Sequence, residues 1–245
     1  MSRMKKLILF DIDGTLIDTF GAGLSAIKLA TEEVFEQPSP DFDIAGNTHS
    51  SLVTQVFQHF GVAQDAEATE AFYSVYLQKL DQNMSAVDYK GAVLEGVVDL
   101  LEMLRYREDI ELSLLTGNLA RGAELKLQKH GLLQYFSFGA FGDDHYDRNS
   151  LGPIALKRAE LATGFPFKPK NTLIIGDTKR DVLCARALGC KILAVGSGMS
   201  TTKELESYGA DMVLSGLSDT LHAYKYITGE SIDACGTHVT PTEDL

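Results

Sequence analysis

The feature that most constrains this chain is the run Lys6-Leu7-Ile8-Leu9-Phe10, which passes directly into Asp11-Ile12-Asp13-Gly14-Thr15-Leu16. Four large apolar residues without polar alternation describe a strand covered on both faces, as in a parallel sheet. The acids then stand at its carboxyl end, where open α/β sheets gather their ligands. Asp11 and Asp13 are two residues apart, so both side chains point the same way if extended geometry persists. Two carboxylates held that close repel, and a divalent cation or a proton on one of them relieves the repulsion. Gly14 lets the backbone turn, or lets a ligand approach, where a Cβ would obstruct. The plain alternative is a strand followed by an acidic Asp-Gly turn. The rest of the chain speaks against it.

After Thr15 the pattern changes from strand to helix. Residues 24–35 carry Leu24, Ile27, Ala30 and Val34 at near-helical spacing, and Gln37-Pro38-Ser39-Pro40 ends the segment. Residues 48–60 repeat the pattern with Leu52, Val53, Val56, Phe57 and Phe60, with Thr48 or Ser50 available as a cap. Residues 66–84 form a third helix carrying Phe72, Val75, Tyr76 and Leu80. No strand signal interrupts this stretch, so residues 20–87 read as an α-helical cap domain, inserted into a core made of residues 1–19 and 88–245. From Leu94 onward strands and helices alternate. Strands are expected at 111–115, 136–140, 172–176, 191–195 and 211–214, and helices at 97–104, 120–130, 151–162, 180–188 and 203–208. The fold expected is α/β, a doubly wound, mainly parallel, Rossmann-like sheet with helices on both faces and an inserted helical cap. The polar tail from Gly229 is expected to be loosely held.

Charge and cysteine usage narrow the partners. A formal net charge of −12 argues against a nucleic-acid footprint, which needs a basic patch. It leaves room for an anionic small molecule, because a metal and one or two cations can dominate a local site. Cys184, Cys190 and Cys235 are odd in number and form no Cys-x-x-Cys pair, which suits a reducing cytoplasm. Cys184 and Cys190 read as small buried hydrophobes. Asp11 and Asp13 interrupt any signal-like apolar run, and no apolar stretch reaches the ~18 residues of a membrane span. The expected molecule is a cytoplasmic monomer or homodimer that meets neither nucleic acid nor membrane.

Three apolar strands end in polar clusters: Asp11-x-Asp13, Thr116-Gly117-Asn118, and Gly176-Asp177-Thr178-x-x-Asp181. As parallel neighbours they would converge on one crevice at the carboxyl edge. Oxygen ligands of this acidity suit Mg²⁺ better than zinc, which favours His and Cys.

These motifs, in this order and with a helical insertion between the first two, resemble those of the haloacid dehalogenase-like hydrolases, in particular their phosphoglycolate phosphatase-like branch. The resemblance implies a metal-dependent phosphatase acting through an aspartyl-phosphate. It makes Asp11 the nucleophile. Asp13 becomes the acid that protonates the leaving oxygen and then the base that activates water. Asp13 also speaks against dehalogenation, which needs no such acid. Mg²⁺ would be held by the Asp11 carboxylate, the Asp13 main-chain carbonyl and Asp177, with Asp181 orienting a metal-bound water or a neighbouring cation. Thr116 and the amides around Gly117 and Asn118 would bind the equatorial oxygens. The family also uses a cation at the phosphoryl group. The usual Lys-Pro pattern is absent, and Arg148-Asn149-Ser150-Leu151-Gly152-Pro153 stands in its place. Arg148 is therefore the candidate, as a planar guanidinium that can grip two oxygens. Lys157, inside the following helix, is the rival.

Other positions read more plainly. Gly46-Asn47-Thr48-His49 could face the site or be a glycine turn with Thr48 as cap. Asp18 and Thr19 read as helix caps, and His145 as a solvated loop histidine. The substrate expected is a small phosphorylated metabolite. The alternatives are a sugar-phosphate mutase, as in the related β-phosphoglucomutases, and a phospho-accepting signalling domain, for which the chain is long.

Overall fold

The structure is a computed structural model that describes residues 5–41, 46–232 and 238–239. The chain opens with β1 (Lys6–Phe10) and a two-residue strand β2 (Ile17–Asp18), then enters the helices α1 (Ala22–Phe35), α2 (His49–Phe60) and α3 (Ala66–Ser85). It returns through β3 (Ala92–Val93) to α4 (Val97–Arg105), β4 (Ile110–Leu115), α5 (Ala120–Lys129), β5 (Gly139–Ala140) and α6 (Leu151–Thr163). The remainder is β6 (Thr172–Gly176), α7 (Lys179–Leu188), β7 (Lys191–Val195), α8 (Thr202–Ser207), β8 (Met212–Leu214), α9 (Thr220–Thr228), and the antiparallel pair β9 (Ser231–Ile232) and β10 (His238–Val239).

The main sheet has the order β5-β4-β1-β6-β7-β8, with every pairing parallel. β1 lies at the point where the strand order reverses, which in such sheets opens a crevice at the carboxyl ends. Its side chains alternate between two cores. Ile8 and Phe10 pack with Leu101, Leu127 and Tyr224 of α4, α5 and α9, whereas Leu7 and Leu9 pack with Ala155, Val182 and Leu205 of α6, α7 and α8. All four strand residues are fully buried. Each burial contributes about 1.5–3 kcal/mol, and covering both faces is what requires an unbroken apolar run.

Helices α1–α3 build a third core of their own around Ile27, Val56, Phe57, Phe72 and Leu80, joined from the αβ body by Leu119. Where this insertion leaves and re-enters the body, Ile17 and Asp18 pair antiparallel with Val93 and Ala92. These strands are too short to show a period in sequence. Thr48 caps α2 by accepting from the Ser51 amide at 3.2 Å, and Asp65 caps α3 from Ala68 at 2.8 Å.

Several local expectations are corrected. Asp18 and Thr19 do not cap α1, whose N-cap is Gly21 with no side-chain bond. Asp18 instead closes a turn by accepting from the Phe20 amide at 2.7 Å. Of the strand expected at 136–140, only Gly139–Ala140 pairs, because residues 133–135 form a 3₁₀ turn and Phe136 turns into the core. Helix α9 had no counterpart in the sequence reading. It packs Ala223, Tyr224 and Ile227 inward behind a cap from Asp219. The start of the tail is tied rather than loose. Glu230 accepts from both terminal nitrogens of Arg107 at 2.7 Å. Residues 233–237, with Cys235, and 240–245 lie outside the described residues. Cys184 and Cys190 are free and buried, as expected.

Candidate active site

The three polar strand ends converge. Asp11 follows β1, Thr116 follows β4, Asp177 follows β6, and Asp181 lies in the first turn of α7. All four are buried, and one carboxylate oxygen from each of Asp11, Asp177 and Asp181 lies within 4.8 Å of the others. Asp11, Thr116 and Asp177 line a cavity of about 420 Å³ whose lining also takes in residues of α1, α2 and α3.

The electrostatics of this trio are strained. Burial pushes the Asp11 carboxyl up to about 6, and the charge of Asp181 adds to the shift, against Arg148 and a hydrogen bond from Thr116. Asp177 is raised well above the ordinary range by burial, then by Asp181 and Asp11. A group of buried oxygens that resists holding its full negative charge is a donor set suited to a hard dication.

Asp177 is held from three sides. It accepts from the Met199 amide at 2.8 Å and from the Thr15 hydroxyl at 3.5 Å, and it lies against two glycines. A Cβ on Gly14, whose φ is +78°, would stand 2.5 Å from Asp177 Oδ2, and one on Gly198 would stand 1.9 Å away. Both glycines are therefore required by close approach to this carboxylate.

Arg148 occupies the place assigned to it. Its side chain is 5% exposed, with Nη2 lying 3.1 Å from Asp11 Oδ2 and also paired with Asp181 Oδ1. Nη1 donates to the Gly46 carbonyl at 3.1 Å, which ties the guanidinium to the loop entering α2. Lys157 is exposed on α6. Asp181 also accepts from the Thr178 amide at 3.0 Å and from its hydroxyl at 2.6 Å, forming the cap of α7.

Asp13 corrects the idea that the two acids of the first motif must share a metal or a proton. Its carboxylate takes no part in the acidic trio among the described residues. Lys126 Nζ donates to its two oxygens at 2.7 and 2.6 Å, Asn118 Nδ2 donates at 2.7 Å, and the Thr19 hydroxyl donates at 3.3 Å. Burial opposes ionisation, but the charge and hydrogen bond of Lys126 outweigh it, and Asp13 is held below the usual carboxylate range. Each acid thus has its own cation, Arg148 for Asp11 and Lys126 for Asp13.

Lys126 was missed in the sequence. On α5 it lies on the buried stripe with Gly122, Ala123 and Leu127, and it is 2% exposed. The available signal was a lysine three residues after Ala123, on a helix's apolar face. Lys126 also donates to Asn118 Oδ1 at 2.7 Å, so Asn118 serves as a clamp between Lys126 and Asp13. Its amide N–H is turned onto Thr116 Oγ1 at 3.3 Å rather than left open to the cavity.

Gly46, Asn47 and His49 line the cavity while Thr48 caps α2, so both readings of that segment hold together. His145 does not line it. The His145 ring accepts from the Asp147 amide at 2.9 Å and stacks on Tyr146.

Comparison with known proteins matches the model of the haloacid dehalogenase-like hydrolase family to residues 8–195. The chain belongs to the haloacid dehalogenase-like hydrolases. Within that family this hydrolase is 26% identical to phosphoglycolate phosphatase 1 of Pseudomonas aeruginosa, over 90% of this chain and 80% of that one. It is 27% identical to a phosphoglycolate phosphatase of Chromobacterium violaceum, over 87% and 94%. A hydrolase from Pseudomonas syringae shares its fold at a TM-score of 0.70 and 24% identity, covering 91% of this chain and 99% of that one. The protein is accordingly a phosphatase of this family, a phosphoric monoester hydrolase.

Proposed function

We propose that this phosphatase is a Mg²⁺-dependent enzyme that hydrolyses a small phosphate monoester through an aspartyl-phosphate on Asp11. The observation that supports the reading most is the meeting of Asp11, Asp177 and Asp181 oxygens within 4.8 Å, with Arg148 in contact with Asp11. The donor set fits Mg²⁺, because it is buried, all-oxygen and short of positive charge. Asp11, Asp177 and the Asp13 main-chain carbonyl would hold the ion, and Asp181 would orient Arg148. Bound there, Mg²⁺ supplies charge that offsets the repulsion between Asp11 and the phosphoryl oxygens.

An Asp11 oxygen forms a bond to phosphorus as the ester P–O bond breaks, and the electron pair leaves with the alcohol oxygen. Asp13 delivers the proton to that oxygen. In the resting arrangement Asp13 is an ionised, clamped carboxylate; an entering phosphoryl dianion raises its proton affinity, so Asp13 takes up one proton from solvent as the ester binds and passes it to that oxygen. In the second half Asp13 takes a proton from water, which attacks phosphorus and breaks the bond to Asp11. Inorganic phosphate leaves and the Asp11 carboxylate is restored. Arg148 and the Thr116-Gly117 segment bind the equatorial oxygens, and Asn118 holds that segment through its bonds to Thr116 Oγ1.

Residues 20–87 act in this reading as a cap that closes over the site and excludes water. Among the described residues no helix is long and apolar enough to cross a membrane. The buried free thiols suit a reducing compartment, and the reading places the enzyme in the cytoplasm.

The test is phosphate release from a panel of phosphorylated metabolites, with Mg²⁺ and with chelator. Asp11→Asn is expected to lose activity by about 10³-fold or more, together with the acid-stable phosphoryl label expected in acid-quenched wild-type enzyme. Full activity in Asp11→Asn would overturn the reading. Interconversion of sugar phosphates without net phosphate release would assign the site to a mutase instead.

A further inference from the structure

Resting on the phosphatase reading, we propose that His49 and Tyr76 form a hydroxyl-binding wall for the leaving alcohol. The wall selects phosphate monoesters of neutral hydroxylated alcohols over those that carry a carboxylate. His49 opens α2 and Tyr76 lies mid-way along α3. Both line the cavity within electrostatic reach of Asp13, and their rings lie 4.7 Å apart between centroids.

The chemistry of the pair follows from its partners. His49 Nδ1 lies 2.8 Å from the Gly117 carbonyl, which can only accept, so Nδ1 carries the proton. Burial drives the imidazolium pKa down to about 4, so the ring is neutral at physiological pH. Nε2 therefore presents a bare lone pair. Among the described residues neither His49 Nε2 nor the Tyr76 hydroxyl has a hydrogen-bond partner, although both are fully buried. Two orphaned groups side by side, one an acceptor and one able to donate, complement an alcohol, which gives one hydrogen bond and receives another.

A carboxylate is the wrong ligand for the same wall. It can only accept, so it would face the His49 lone pair with nothing to offer. It would also find no cation of its own beside His49 and Tyr76, since both cations of the cavity are paired with acids. Among the described residues that line the cavity the cations are Lys126 and Arg148. Lys126 spends its three N–H groups on the two Asp13 oxygens and Asn118 Oδ1, and the terminal nitrogens of Arg148 are taken by Asp11, Asp181 and the Gly46 carbonyl. That leaves the buried Nε of Arg148, at the phosphoryl site beside Asp11, as the one nitrogen of these two side chains without a partner among the described residues. Leu24, Ile27 and Leu52 also line the cavity, and exposed Asp18 adds a further negative charge to its lining. A carboxylate there is desolvated without compensation.

The discriminating substrates are three esters that differ at one end: 2-hydroxyethyl phosphate, ethyl phosphate and phosphoglycolate. With Mg²⁺, kcat/KM for the hydroxyethyl ester is expected to exceed each of the others by about tenfold or more. In Tyr76→Phe and in His49→Phe the hydroxyethyl-to-ethyl ratio is expected to collapse toward unity. Calorimetric binding of the same esters to Asp11→Asn, which cannot turn over, reads the wall independently of hydrolysis and is expected to keep the order. Phosphoglycolate turned over as well as the hydroxyethyl ester, or a ratio unchanged in Tyr76→Phe, would overturn the inference while leaving the phosphatase reading intact. No hydrolysis of any ester, with selective binding of the hydroxyethyl ester to Asp11→Asn, would sink the phosphatase reading and keep the wall. Absence of both turnover and selective binding would remove the two together.

Discussion

Arg148 shows how much one side chain carries. Its guanidinium touches Asp11 and Asp181 and reaches the Gly46 carbonyl, so it neutralises the proposed nucleophile and anchors the loop entering α2 at once. A lysine could supply the charge but not the fork, because an ammonium is a point charge on a flexible stem. Arg148→Lys is therefore expected to fold and to lose about 10²-fold in kcat, with full deletion confounded by the unpaired acids it would leave in the interior. Lys157→Ala, on the exposed face of α6, is expected to stay within about twofold of wild type. Steady-state phosphate release from the two variants checks both. Parity between Arg148→Lys and wild type would show that charge alone suffices at this position.

At the level of elements, what the sequence disclosed was what local periodicity can encode. The apolar run of β1, the helical stripe of α2 and the turn-rich strand ends each carry a pattern within ten residues, and each formed where it was expected. What escaped depends on packing between distant segments. Lys126 pairs with a carboxylate from 113 positions away, and only the crossing of α5 over the end of β1 makes a lysine acceptable on a buried stripe. The β2–β3 pairing and α9 escaped for the same reason, since each is short and is stabilised by what it leans on. The loop after β7 is a further case. Gly196-Ser197-Gly198 follows a strand and matches no dinucleotide-binding fingerprint, yet in the fold Ser197 donates to the Gly14 carbonyl at 2.8 Å and Gly198 lies against Asp177. A methyl group at Gly198 must displace either Asp177 or the loop that carries Gly14. Gly198→Ala is expected to fold but to bind Mg²⁺ about 10-fold more weakly or worse, measured by the Mg²⁺ dependence of turnover. An unchanged Mg²⁺ requirement would mean that Asp177 is not a ligand.

For the whole molecule, the acidic trio sets function against stability. Burying Asp11, Asp177 and Asp181 around one Arg148 leaves more negative than positive charge in the interior. The raised proton affinities of Asp11 and Asp177 report that cost directly. A group whose folded pKa is raised costs stability once pH climbs past its unfolded value, so at neutral pH Asp177 weakens the metal-free fold. Asparagine has the same shape without the charge, and its carbonyl oxygen can still accept from the Met199 amide. Asp177→Asn is therefore expected to melt higher than wild type in chelator, by roughly 2–4 °C per kcal/mol recovered for a chain of this size. Mg²⁺ should reverse the order. Binding to the native state raises the wild-type midpoint by mass action, in step with the ion concentration, whereas the variant has lost a ligand and should barely respond. Paired thermal melts with chelator and with millimolar Mg²⁺ read both halves of the effect. A variant less stable than wild type without metal would show that Asp177 is held for the fold. A variant that still rises with Mg²⁺ as wild type does would place the ion elsewhere in the molecule.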